Sequence, residues 1–170
     1  MSDVLEFDPV DRLAAGAIGE PGQREFFLQA RRGDAQITVL LEKQQVAVMA
    51  AEALTVLDRI DSDEGVVTSG EDIDASIQEP AIATFRARAV GMGYDPTRQR
   101  LLIELREFAV EDEEPEDEDA EGWVVRLYAS KEQLRAACVA GLDAVTSGRP
   151  LCEWCEMPMN PGEHICPKWN

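Results

Sequence analysis

The sequence has one histidine, His164, in 170 residues. Nucleophile–base pairs of the Ser-His or Cys-His kind therefore have a single residue to draw on. Long apolar runs are also missing. No stretch approaches the roughly 20 consecutive apolar residues of a membrane-spanning helix, so no membrane partner is expected. The N-terminus, MSDVLEFDPVDRL, has an early acid and no apolar core segment. It does not read as a secretory signal, and a cytoplasmic location is expected. Bases are scarce, with 16 Lys and Arg against 34 Asp and Glu and a net charge of −18. No basic stripe is present to neutralise phosphates, which disfavours nucleic acid as a partner.

What remains is the composition of one compact domain, 45% apolar and long enough to bury a core. The negative charge is concentrated. Residues 111–121, EDEEPEDEDAE, hold nine acids and no base, and residues 58–79 hold eight acids against Arg59 alone. Outside these segments the balance is close to neutral. Runs of one sign repel themselves and stay solvated, so both read as acidic loops, with 109–122 disordered. Such a run either aids solubility, docks a basic partner or weakly holds cations.

The chain also repeats itself. In AAGAIGEPGQREFFLQA (14–30) and AVGMGYDPTRQRLLIEL (89–105), Gly19 matches Gly93, Arg24 matches Arg98 and Phe27 matches Leu101, at an offset of 74. In TVLLEKQQVAVMAAEAL (38–54) and RLYASKEQLRAACVAGL (126–142), Lys43 matches Lys131, Gln45 matches Gln133, Val46 matches Leu134 and Leu54 matches Leu142, at an offset of 88. The acidic run accounts for the extra 14 positions. The pattern reads as a duplication, with one copy over about 8–60 and the other over about 80–147.

Each copy reads as strand, strand, strand, helix. Residues 12–18 and 24–31 flank the turn Gly19-Glu20-Pro21-Gly22. Ile37, Val39 and Leu41 alternate with their neighbours as in a half-buried strand. A helix over 44–59 aligns Val46, Met49, Ala50, Ala53, Leu54 and Leu57. In the second copy, strands at 82–92 and 99–109 flank Tyr94-Asp95-Pro96-Thr97, and Trp123, Val125 and Leu127 alternate in the third. Ser130 and Gln133 form a capping box for a helix over 131–146, which Gly148 ends. The expected architecture of residues 1–148 is α+β with antiparallel sheet, its halves packed about a pseudo-twofold.

Residues 149–170 carry the one motif with explicit chemistry. Cys152-x-x-Cys155 lets two thiolates reach one ion from a single tight turn, and His164-x-Cys166 supplies two more donors. Pro158, Asn160, Pro161 and Gly162 turn the chain between the pairs. A Cys₃His set without an open position is the pattern of a structural zinc. Zinc at such a site contributes on the order of 10 kcal/mol to local folding, enough to order a tail with almost no apolar core. Redox use of Cys152 and Cys155 would place them at a helix N-terminus after a strand, whereas here they follow a helix. Cys138 falls on a helix's apolar face and reads as a small buried hydrophobe.

The tail pattern, together with Gly-Glu-Pro-Gly-Gln-Arg-Glu-Phe-Phe-Leu-Gln-Ala (19–30) and Leu-Glu-Lys-Gln-Gln-Val (41–46), resembles the actinobacterial proteins grouped as domain of unknown function 3090. The resemblance covers essentially the whole chain. It implies a family and a distribution, and no mechanism.

Two further candidates concern binding. Gly16-Ala-Ile-Gly19-Glu-Pro-Gly22 lies between strands, so no helix N-terminus stands behind it to cradle phosphate, and a hairpin turn is the simpler reading. Arg24 and Lys43, with Arg98 and Lys131 in the second copy, are either surface salt-bridge partners or an anion site between the halves. No catalytic set emerges. The expected function is a non-catalytic zinc-binding protein that recognises a protein partner or a small anion. The alternative is an enzyme that uses the Arg/Lys cluster on a phosphorylated or carboxylated substrate.

Overall fold

The computed structural model describes residues 2–108, 122–159 and 164–169. The acidic run 111–121 and the turn residues Asn160, Pro161 and Gly162 lie outside them. The elements follow as β1 (Ser2–Phe7), β2 (Arg12–Ile18), β3 (Glu25–Arg32), β4 (Ala35–Leu41), α1 (Lys43–Glu64), β5 (Phe85–Arg86), β6 (Ala89–Asp95), β7 (Arg100–Arg106), β8 (Gly122–Ala129) and α2 (Lys131–Thr146), with a single 3₁₀ turn at Pro167–Trp169.

The chain is α+β, and its described residues form two helices and two four-stranded sheets ordered β1-β8-β7-β6 and β2-β3-β4-β5. The expected antiparallel sheet accounts for the meanders but not for the edges, so both sheets are mixed. The meanders β2-β3-β4 and β6-β7-β8 are antiparallel, while β1 lies parallel to β8 and β5 parallel to β4. A parallel partner must come from a distant part of the chain. β1 precedes the first meander yet joins the second, and β5 precedes the second meander yet joins the first. The two sheets and both helices contribute to one apolar core.

Pairing register gives an exact correspondence between positions. Phe7 pairs with Leu127 and Phe85 with Val39, so the two parallel pairings are alike when β4 is set against β8 at a shift of 88. Phe26 pairs with Leu41 and Leu101 with Ala129, which sets the shift between β3 and β7 at 75 and not 74. The difference is physical, because a one-residue slip moves every side chain to the other face. Phe26, Leu28 and Ala30 face the core as Leu101, Ile103 and Leu105 do, whereas Phe27 belongs to the opposite face.

Both helices begin with the same device. Gln133 Oε1 accepts from the Ser130 N–H while Ser130 Oγ accepts from the Gln133 N–H, and Gln45 Oε1 accepts from the Glu42 N–H at the start of α1. Each glutamine's amide then donates to the strand-linking backbone beneath it, Gln45 to the Ala87 carbonyl and Gln133 to the Val10 carbonyl. The helices meet over β2 at Gly141, where a Cβ would lie 3.1 Å from Val46 and 3.4 Å from Ala15. α1 runs five residues past its expected end, to Gly65 in the left-handed conformation with φ 68°. At α2 the cap is Ser147 and not Gly148.

The acidic segment 58–79 begins inside α1, and seven of its eight acids are exposed, as a solvated segment has them; the exception is Asp61. Asp61 is buried near the end of α1, accepting from the Thr68 N–H and hydroxyl at 2.7 Å each. Arg135 of α2 reaches it at 3.3 Å and Lys131 at 3.5 Å. Past Gly70, which packs on α2, residues 74–78 lie against the β2-β3-β4-β5 sheet. There Gln29, buried within β3, donates to the Thr38 hydroxyl and the Gln78 carbonyl and accepts from the Gln78 N–H. Arg12 pairs with Asp74 at 3.2 Å. The Ser76 hydroxyl and N–H, with Arg12 behind them, hold the Asp74 carboxyl down to about 2. This cover explains why five consecutive residues of β3 are buried where alternation predicts every second one.

Two outcomes follow. A Cβ on Gly70 would lie 2.7 Å from the Ala136 nitrogen and 2.8 Å from the Glu132 carbonyl oxygen. Since backbone cannot yield cheaply, Gly70→Ala should cost about 1–3 kcal/mol of stability in denaturant unfolding. The hydroxyl and N–H of Thr68, aided by Lys131 and Arg135, hold the Asp61 carboxyl below its ordinary 3.8 despite burial. A depressed folded-state pKa contributes stability that is present above the unfolded value and lost as pH falls through the folded one. Asp61→Asn should therefore unfold more easily than wild type at neutral pH, with the gap closing below 3.8. Thermal unfolding across a pH series checks this.

Candidate metal centre

After α2 the chain makes a short hairpin, with Leu151 bridged to Pro158. The Cys152 N–H donates to the Met157 carbonyl, the Glu156 N–H to the Cys152 carbonyl and the Met159 N–H to the Pro150 carbonyl. Glu156 closes the turn with φ 59°. Few apolar side chains are sequestered here: Cys152 is buried, while Leu151, Trp154, Met157 and Ile165 are exposed.

The hairpin brings the Cys152 and Cys155 sulfurs to one point, and the chain returns to it with His164 and Cys166. All four donor atoms lie within 4.8 Å of one another. Cys152 Sγ is 3.9 Å from Cys166 Sγ, and Cys155 Sγ is 3.3 Å from His164 Nε2. A tetrahedral ion about 2.3 Å from each sulfur and about 2.0–2.1 Å from nitrogen sets those separations at roughly 3.8 and 3.6 Å. The donor set therefore fits one metal ion. Backbone N–H groups of Cys155 and Trp154 lower the Cys152 thiol to about 6, favouring the thiolate that a metal needs. Cys155 is raised: the Met157 N–H acts to lower it, but burial and the adjoining sulfurs of Cys152 and Cys166 outweigh that. All four cysteines are free thiols. Cys138 is buried in the core, and burial pushes its thiol up to about 12.

The four basic residues singled out in the sequence do not converge. Arg98 lies with Asp8 at 2.7 Å and Asp95 at 2.6 Å, its guanidinium 4.5 Å from the centre of the Tyr128 ring. Lys131 lies with Glu64 and Asp61. Arg24 and Lys43 share a cleft of about 330 Å³ where the start of β3, the end of β4, the start of α1 and the end of α2 meet. Arg24 donates to the Ala144 carbonyl at 3.2 Å and the Ser147 hydroxyl at 3.0 Å. That is the favourable place for a cation, at a helix C-terminus.

Sequence reasoning missed two further cations in this cleft, Arg86 and Arg149. Arg86 pairs with Glu42, and the Arg149 guanidinium packs over Gly22, 3.2 Å from where a Cβ would stand. No sequence pattern marked them. Arg86 lies on a strand of two residues and Arg149 on the connector after α2, and neither place has a pattern of its own.

Among the described residues, no helix is long and apolar enough to cross a membrane. No curated protein and no solved structure matches the chain. A family model does: it is described as protein of unknown function (DUF3090), it matches residues 5–166, and the chain belongs to that family.

Proposed function

We propose that this is a non-catalytic zinc-binding protein of the cytoplasm, in which one structural zinc ion closes the C-terminal tail and the body binds a small anion or a protein partner. The observation that carries the metal reading is the convergence of Cys152, Cys155, His164 and Cys166 on one point at near-tetrahedral separations. Three thiolates and an imidazole suit zinc among the divalent ions. With four protein ligands no position is left for water, which makes the site structural.

The alternative, an enzyme acting on a phosphorylated or carboxylated substrate, draws on fewer groups. The one histidine belongs to the metal set. The carboxylates lining the cleft are Glu25 and Glu42, and Glu42 is engaged with Arg86. We read residues 8–60 and 80–147 as copies related by a pseudo-twofold. Identical strand order, the common shift of 88 and the paired glutamine caps support that reading.

Purified, reduced protein should carry about one zinc per chain by elemental analysis, with Zn–S near about 2.3 Å in X-ray absorption. Metal-free protein, or a Cys152–Cys155 disulfide under reducing conditions, would overturn the assignment. Cys155→Ser should speed amide exchange from Leu151 to Cys166 while leaving the body's unfolding transition in place, because the metal and not burial orders the tail.

A further inference from the structure

The two sheets have matching meanders but unequal cover. At the shift of 75 that relates β3 to β7, Leu13 and Ala15 of β2 take the places of Val90 and Met92 of β6. Leu13 and Ala15 are buried. Gly141 of α2 closes on Ala15 from one side of β2, and Ile77 meets Gly16 from the other. On β6, Val90 and Met92 are only partly buried and Tyr94 is 43% exposed. Where α2 closes on β2, α1 and β6 leave between them a groove of about 400 Å³, whose apolar lining is Val48, Met49, Val90 and Met92.

The surface around this groove is nearly free of charge. The exposed residues of α1 from 44 to 57 are Gln44, Val48, Ala51, Glu52, Thr55 and Val56, and one of them is charged. β6 has no charge and no proline from Ala89 to Tyr94. Such depletion, in a chain that is 29% charged, is the composition of an interface core. Among the described residues no strand lies beyond β6, so its outer backbone groups are a template for another strand, which sheets otherwise block with lysine or proline. Gly91 and Gly93 point the same way. Neither has positive φ, and a Cβ on either would meet nothing within 4 Å. Neither conformation nor crowding among the described residues calls for glycine there, whereas close approach of another backbone does.

We infer that two copies of this chain associate through this face, with β6 antiparallel to β6 about a twofold axis at Met92. Charge selects the occupant. A chain at −18 holds a different partner most readily through complementary charge. A twofold contact instead sets the same patch against itself, so its charges meet their like and the patch has to be neutral. The strand meets the further demand of self-complementarity. Pairing about Met92 sets Val90 opposite Tyr94 of the second copy on the groove side, and Gly91 opposite Gly93 on the other. The β1-β8-β7-β6 sheet then runs on through both copies. The inference goes beyond the reading above and uses none of the metal ligands and none of the basic residues.

The test is sedimentation velocity of the zinc-loaded full chain from about 1 to 100 µM, with amide exchange followed at both ends of that range. The expected result is a shift from monomer to dimer as concentration rises, with exchange at residues 90–94 slowed in the dimer. Val48 is 49% exposed, so the fold tolerates Val48→Glu, which puts like charge on both copies of the face and should weaken association about tenfold or more. Val4→Glu adds the same charge on β1, at the far edge of the same sheet, and should leave association unchanged. Circular dichroism verifies that both variants are folded, and the exchange pattern of the wild type decides the matter without either. A monomer throughout, a dimer whose exchange at 90–94 does not slow, or equal weakening by the two substitutions would overturn the inference.

Discussion

Everything in the body depends on two parallel edge pairings, β1 on β8 and β5 on β4. Each ties the leading segment of one unit to the sheet of the other. A three-stranded meander with one helix is too small to bury much of its surface alone. Phe7 and Phe85 occupy corresponding places, Phe7 inserted beside Leu127 and Phe85 beside Val39, and both are buried in the common core. The backbone seals the joint, since the Val10 N–H donates to the Tyr128 carbonyl and the Ala87 N–H to that of Leu40. Two marginal units thereby become one cooperative core, and the crevice between them becomes a fixed feature.

What was legible in the sequence was local. The capping box at Ser130 and Gln133, the apolar faces of both helices and the four Cys and His residues whose donors converge are short-range patterns, and their physics acts within a few residues. The edge strands were not legible. β5 is two residues long, and β1 has too few apolar positions for a clear alternation. The match of Phe27 to Leu101 was one position out because aligned residue types carry no information about which face a strand presents. Composition was right about exposure at 58–79 for every acid but Asp61. Eight acids suggested a solvated loop, yet the position of Asp61 on α1 brings it within reach of Lys131 and Arg135. A buried carboxylate is tolerable when hydrogen bonds and cations surround it, and Thr68 supplies two of those bonds.

Charge in this molecule is therefore arranged by position and not by amount. Asp8 and Asp61 show how corresponding places settle their electrostatics internally, with acid and base on adjacent elements. Arg86 stands beside Phe85 as Asp8 stands beside Phe7, with the opposite sign. Because Arg24 reaches the carbonyl end of α2 while Lys43 starts α1, the cleft also sits where one helix presents its negative end and the other its positive end. The cations near Ala144 are stabilised by that carbonyl end, which lowers the cost of holding several like charges together.

The tail is part of the same construction. Arg149 precedes Cys152 by three residues, and α2 has already ended at Thr146. A guanidinium on so short a connector is placed by whatever fixes its two ends. One end is the helix; the other is the hairpin anchored by buried Cys152, where the Pro150 carbonyl accepts from the Met159 N–H. Gly22, with φ 92°, leaves the room over which the Arg149 side chain lies, and a side chain at that position would displace it. The hairpin has little apolar burial of its own, so the four converging donors are the strongest constraint available to hold it. One wall of the cleft is thus carried on the connector between α2 and the Cys₃His cluster, which joins a tail without a core to the place where the two units meet.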